Sequence, residues 1–181
     1  MSKKHISFIL VLLLSGVSFF YGIKGDSSTS AGKGAGKAVL AEKIYDGDTI
    51  GAVANGRFEK IRLIGIDAPE MGQRPWGSKA RKSLESLVAA ADSKVLLEFD
   101  VEQRDKYGRV LGYLWTQDGR LINEELLKKG SAVLFTFPPN VKYVKRLQTA
   151  QKMARDNKSG IWGENGLRET PYEYRKEHPR R

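Results

Sequence analysis

The stretch Thr49-Ile50-Gly51-Ala52-Val53-Ala54-Asn55-Gly56-Arg57-Phe58-Glu59-Lys60-Ile61-Arg62-Leu63-Ile64-Gly65-Ile66-Asp67-Ala68-Pro69-Glu70 decides the fold of this chain. Asn55-Gly56 lies between two extended runs and is the strongest short-range hairpin signal. After the turn, Phe58, Lys60, Arg62, Ile64 and Ile66 fall on one face, and Ile61, Leu63 and Gly65 on the other. That period-two pattern predicts a strand from Phe58 to Ile66. Pro69 forces Ala68 into extended backbone and turns the chain away. Upstream, Ala38 to Tyr45 is a further strand-like run that reaches Thr49 through Asp46-Gly47-Asp48. Three strands joined by tight turns make a meander.

Working outward, Gly77 to Ala91 changes period. Leu84, Leu87, Val88 and Ala91 recur at helical spacing and predict an amphipathic helix. Lys94 to Asp100 and Arg109 to Thr116 read as strands, and Leu121 to Lys129 as a helix stopped by Gly130. Val133 to Phe135 is a short extended piece. The Pro138-Pro139 bond, a candidate for cis, precedes a third helix over Val141 to Asn157, with Val144, Leu147, Ala150 and Ala154 turned inward. Five strands with an inserted helix and more helices following predict an α+β fold, mainly β barrel. Its expected form is a five-stranded OB-fold Greek-key barrel with about three helices.

The same stretch carries the candidate chemistry. Asp48, Asp67 and Glu70 are carboxylates at strand ends and turns, and hard oxygens in loops suit Ca²⁺ or Mg²⁺. Asp48 follows a glycine that permits a tight approach. Taken alone, Asp-Gly-Asp is an ordinary turn and Pro69-Glu70 an ordinary surface turn. Arg62 lies within an apolar strand, so its charge must find water, a partner or a ligand. One such ligand is a phosphate, which a guanidinium fork grips in bidentate fashion. Asp48 and Asp67 through carboxylates, with Ala68 through its carbonyl, form a plausible metal set, and Glu70 stands where a general base would act. Arg109 follows Asp105-Lys106-Tyr107-Gly108 and starts the next strand; a second guanidinium there would spread the charge of a phosphorane.

The ends of the chain read differently. Residues 1–24 begin with two lysines and continue as an uncharged apolar run, Ile6 to Ile23. This is the pattern of a signal peptide. The run is short for a membrane span, which favours export with cleavage to a secreted or periplasmic protein. No A-x-A site follows, so an uncleaved membrane anchor facing outward stays open. Residues 25–37 are Gly/Ser-rich and read as a flexible linker. Residues 38–166 have the size of one domain, and 167–181 form a basic tail. The formal net charge is +10, which suits a polyanionic partner. The absence of cysteine excludes disulfide staples, thiolate metal sites and a lipid-anchored cysteine.

The order of these segments resembles the staphylococcal nuclease (thermonuclease) family. The resemblance rests on Asp46-Gly47-Asp48-Thr49, Arg62 to Glu70, Asp105-Lys106-Tyr107-Gly108-Arg109, residues 121–130 and Gly160-Ile161-Trp162. It implies an OB-fold barrel and a Ca²⁺-dependent endonuclease that cuts DNA and RNA to 3′-phosphate and 5′-hydroxyl ends; nothing in the sequence suggests more than a monomer. It implies Asp48, Asp67 and Ala68 as Ca²⁺ ligands, Glu70 as base, and Arg62 and Arg109 as phosphate clamps. Lys106, Tyr107, Tyr113, Phe135 and Phe137 are then expected nucleotide contacts. Phe135 and Phe137 stand where tyrosines occur in the family, keeping a stacking face and losing a hydroxyl. Glu169 to Arg175 resembles a short tail of bacterial relatives, and Tyr172 and Tyr174 are expected to pack back on the barrel. The alternative is a non-catalytic OB-fold that binds single strands through basic and aromatic side chains. Degenerate binders of that kind usually lose the carboxylates or the arginines, and this chain keeps all five.

Overall fold

Asn55 and Gly56 both take positive φ, 52° and 73°, the backbone twist that a two-residue hairpin needs. The computed structural model describes residues 36–179. The expected signal or anchor segment, all but the last two linker residues, and the end of the tail lie outside the described residues. The chain runs β1 (Lys37–Ile44), β2 (Thr49–Ala54), β3 (Arg57–Leu63), β4 (Gly65–Asp67), α1 (Trp76–Ala89), β5 (Lys94–Glu98), β6 (Val110–Trp115), α2 (Ile122–Lys128), β7 (Val133–Phe135), α3 (Val144–Asp156) and α4 (Pro171–Glu177). A 3₁₀ turn covers Gly160–Trp162.

The barrel order is β1-β2-β3-β6-β5, closed by antiparallel pairing of β5 back onto β1. The β3–β6 pair is the parallel one, with Arg62 opposite Leu111. This is the expected OB-fold barrel. Its interior holds Ile50, Ile61, Leu63 and Leu114, and α1 packs against β1 and α2, adding Ala80, Leu84, Leu87 and Val88 to the same core. Burying a side chain of this size contributes about 1.5–3 kcal/mol. Glu98 is buried at the end of β5 and satisfied: the Trp115 indole donates to it at 2.6 Å, with Tyr143 and Lys142 beside it.

Four expectations need correction. The strand expected from Phe58 to Ile66 is two strands. Gly65 takes φ +79°, the Ile64 amide donates to the Gly112 carbonyl at 3.1 Å, and the chain leaves the barrel. β4 then pairs with β7, placing Gly65 opposite Phe135 and Asp67 opposite Val133. Ala91 lies beyond α1, which ends at Ala89. The third helix starts at Val144 rather than Val141: the Val144 amide closes a turn on the Val141 carbonyl at 3.1 Å, and the first i→i−4 bond runs from the Leu147 amide to the Tyr143 carbonyl at 2.9 Å. The segment assigned to a tail contains a fourth helix, α4, described below. The Pro138–Pro139 bond is cis, as is Arg74–Pro75.

The switch at Ile64 is held by Asn123, which is fully buried in the first turn of α2. Its amide donates to the Ile64 carbonyl at 2.8 Å and its carbonyl accepts from the Leu114 amide at 3.0 Å. Asn123→Ala orphans two buried backbone groups at about 1–3 kcal/mol each. Urea unfolding should therefore show a loss of about 2–5 kcal/mol. A loss below about 1 kcal/mol would mean that the switch is held by packing alone.

Candidate active site

Gly47 brings the first carboxylate to the barrel rim. A Cβ at this position would lie 2.6 Å from the Cβ atoms of both Ala68 and Ala80, so only glycine admits this approach. The Asp48 amide closes the turn on the Asp46 carboxylate at 3.1 Å. Asp48 Oδ2 accepts the Ala68 amide at 2.7 Å, and the Asp48 carbonyl accepts the Leu63 amide at 2.8 Å. The loop before β2 and the chain after β4 are thus joined at the residues singled out from the sequence.

Arg62, near the end of β3, reaches into this junction. Its Nη1 lies against Asp48 Oδ1, and its Nη2 donates to Asp67 Oδ1 at 3.0 Å and to the Ile66 carbonyl at 3.3 Å. Asp48 is 6 % exposed and Asp67 1 %. Buried carboxylates require such partners. Burial pulls the Arg62 guanidinium below its ordinary pKa; Asp67 and then Asp46 oppose that shift, and the charges of Arg109 and Arg175 add to it. The group stays cationic at any working pH.

A further guanidinium enters from α4. Arg175 Nη1 donates to Asp67 Oδ1 and to Glu70 Oε1, both at 3.0 Å, and Nη2 donates to Asp67 Oδ2 at 2.8 Å. Its bond to Asp67 raises its pKa further. The Glu70 amide donates to Gln73 Oε1 at 2.9 Å. Asp48, Arg62, Asp67, Ala68 and Glu70 therefore form one cluster, and Arg175 belongs to it although the sequence reading did not assign it a role.

The other candidates fall into three places. Arg109 is held by Asp105, which accepts from Nε and Nη2 at 2.7 Å and from the Arg109 amide at 2.9 Å. Tyr107 is 73 % exposed at the same turn, with the Lys106 ammonium 5.1 Å and the Arg109 guanidinium 5.7 Å from its ring. Phe135 and Phe137 line a hollow with Arg62, Gly65 and Leu111, and Phe137 is 70 % exposed. Tyr113 is not on this face. It is 1 % exposed in β6, packs edge-on against Tyr143, and donates its hydroxyl to Asp100 at 3.2 Å. All six residues of β6 are buried, so the structure makes Tyr113 a core residue rather than a nucleotide contact. Burial first, then the Asp100 charge, raises its pKa.

Fold and rim together define an OB-barrel protein with carboxylates and guanidinium groups concentrated at one charged site. The family described as "Staphylococcal nuclease homologue" matches residues 60–164. The chain is 36 % identical to a thermonuclease of Staphylococcus intermedius over 88 % of this chain and 98 % of that protein. It is 38 % identical to the SPbeta prophage-derived endonuclease YokF of Bacillus subtilis, over 71 % of this chain and 45 % of that one. It is 36 % identical to endonuclease YncB of Bacillus subtilis, over 71 % of this chain and 63 % of that one. The chain thus spans nearly the whole thermonuclease but under two thirds of the two endonucleases. It belongs to the staphylococcal nuclease family.

Proposed function

We propose that this chain is an exported nuclease that hydrolyses phosphodiester bonds in DNA and RNA with a divalent cation. The cation is Ca²⁺ in this reading, and the products are 3′-phosphate and 5′-hydroxyl ends. The observation that carries it is the meeting of Asp48, Arg62, Asp67 and Glu70 within hydrogen-bonding reach of shared guanidinium groups at the barrel rim. The basic-then-apolar N-terminus supports export. Among the described residues no helix is long and apolar enough to cross a membrane.

The donor set fits a hard cation. Among the described residues no three acidic or histidine side chains close on one point. The proposed ligands are two carboxylates and a backbone carbonyl: Asp48, Asp67 and Ala68. Each carboxylate oxygen accepts about two bonds. Asp48 Oδ2 takes the Ala68 amide and Asp67 Oδ2 takes Arg175, which leaves acceptor capacity on both residues. A bound cation would supply concentrated positive charge beside the scissile phosphate.

The chain's own residues do the rest. Arg62, whose fork is held by Asp48, Asp67 and Ile66 in the free protein, turns it to the phosphate oxygens when substrate binds. Arg109 exchanges Asp105 for the phosphate and adds a second fork. Glu70 takes the proton of the water that attacks phosphorus; the P–O5′ bond breaks, and the 5′-oxygen leaves as a hydroxyl with a proton from solvent water. Phe135 and Phe137 give bases an apolar face, worth about 1–3 kcal/mol per stacked base. Lys106 and Tyr107 lie on the approach to Arg109. The test is incubation of the full chain with single-stranded DNA and with RNA, in Ca²⁺ and in chelator, with end-group analysis. Cleavage to 3′-phosphate ends is expected with Ca²⁺ and none with chelator. Substrate bound but intact under both conditions would leave a non-catalytic OB-fold.

A further inference from the structure

We infer that α4 is a working part of this site, and that Arg175 is a positioning residue which fixes the mutual orientation of Asp67 and Glu70. The inference rests on the nuclease reading for its activity arm, and on geometry alone for its binding arm.

The contact is not an incidental surface pair. Asp67 is 1 % exposed, and one guanidinium makes three bonds to two carboxylates, the last residue of β4 and Glu70 three positions on. Exposed pairs contribute little, whereas a buried carboxylate depends strongly on its partners. Only a planar fork spans both carboxylates in this way; an ammonium is a point charge. Arg62 grips the same Asp67 Oδ1 from β3, so the carboxylate is clamped from two sides.

The approach of α4 is fixed independently of Arg175. Thr170 and Glu173 form a reciprocal capping box, and Pro171 opens the helix and is buried. Gln73 ties both partners together: its carbonyl accepts the Glu70 amide at 2.9 Å and its amide donates to the Glu169 carbonyl at 3.1 Å. Tyr174 lies against Gly72, where a Cβ would stand 2.1 Å from the tyrosine hydroxyl. Tyr172 stacks at 6.3 Å on Phe135, itself a candidate nucleotide contact. These separate anchors place the Arg175 fork before any ligand arrives, the preorganisation a functional site needs. The same charge stands against a cation on Asp67. The site therefore trades some cation affinity for a fixed geometry.

The test uses full-length Arg175→Gln and Arg175→Lys. Calorimetry with Ca²⁺ alone should show several-fold tighter binding in Arg175→Gln, because a cation facing Asp67 is gone. Cleavage of single-stranded DNA at saturating Ca²⁺ should show kcat lowered about 10- to 100-fold, the range for loss of a residue that orients ligands, with KM for DNA little changed. Arg175→Lys should bind Ca²⁺ like the parent and recover only part of kcat. Should Arg175→Gln fail to unfold cooperatively, Arg175→Lys alone decides through kcat. A kcat at or above the parental value in a folded variant overturns the inference, since α4 would then only cover the site. Unchanged Ca²⁺ affinity in Arg175→Gln overturns it as well. A parent that cuts nothing removes the nuclease reading alone and leaves the calorimetric result standing.

Discussion

Arg62→Ala is expected to lower turnover on single-stranded DNA by about 10³- to 10⁵-fold, the range found when a guanidinium that stabilises phosphoryl-transfer charge is removed. The magnitude follows from what Arg62 touches. Its fork meets Asp48 and Asp67 and lies at the hollow lined by Phe135 and Phe137, so one side chain spans the proposed cation ligands and the substrate face. The substitution also has a structural effect. Removing one partner from a buried pair costs about 3–5 kcal/mol. Here the lower part of that range is expected, because Asp67 keeps Arg175 and Asp48 keeps the Ala68 amide. Unfolding and single-turnover cleavage must therefore be measured on the same preparation. Arg62→Lys separates the two effects: it keeps a charge between the carboxylates and restores most of the stability, but it loses the fork, and turnover stays low. If folded Arg62→Ala cuts within tenfold of the parent, Arg62 is a structural counter-ion and nothing more.

Local pattern carried the reading wherever the physics is local. The Asn55–Gly56 turn, the helical spacing of Leu84, Leu87 and Val88, and the inward Leu147, Ala150 and Ala154 all depend on neighbours in sequence, and each is where expected. Arg62 stood out because charge in an apolar strand demands a partner; Asp48, Asp67 and Glu70, ordinary turn residues taken singly, stood out only through the order of segments that resembles the family. The break at Gly65 was not legible, because alternation runs through it unchanged. Only long-range pairing shows that β3 stays with β6 while β4 turns to β7. Tyr113 was misplaced for a related reason: β6 is buried on both faces, and a strand of that kind gives no alternation to tell core from surface. Residues 170–173 did carry a local signal. Thr170, Pro171 and Glu173 spell a capping box with proline at the first helical position. That pattern predicts a helix start, yet it cannot reveal that Arg175 meets Asp67 and Glu70 more than a hundred residues away.

Glu70→Gln gives the second large effect, a fall in kcat of about 10²- to 10⁴-fold, the usual range for a general base. The substitution is nearly isosteric. Its carbonyl oxygen can still accept from Arg175, and the Glu70 backbone bond to Gln73 does not involve the side chain. Folding and Ca²⁺ binding should therefore persist while proton abstraction is lost. The same variant decides how Arg175 acts. If Arg175 works by orienting Glu70, its removal costs much less once Glu70 can no longer take a proton, so the two effects on kcat fall short of multiplying. If Arg175 instead meets the phosphate directly, the losses multiply and Glu70→Gln/Arg175→Gln falls below either single variant by the full factor. Single-turnover rates for the four proteins, each saturated with Ca²⁺, distinguish a clamp on the base from a third clamp on the substrate. Glu70→Gln turning over near the parental rate would move proton abstraction to another group, and with it the reason for Arg175 to reach across to that turn.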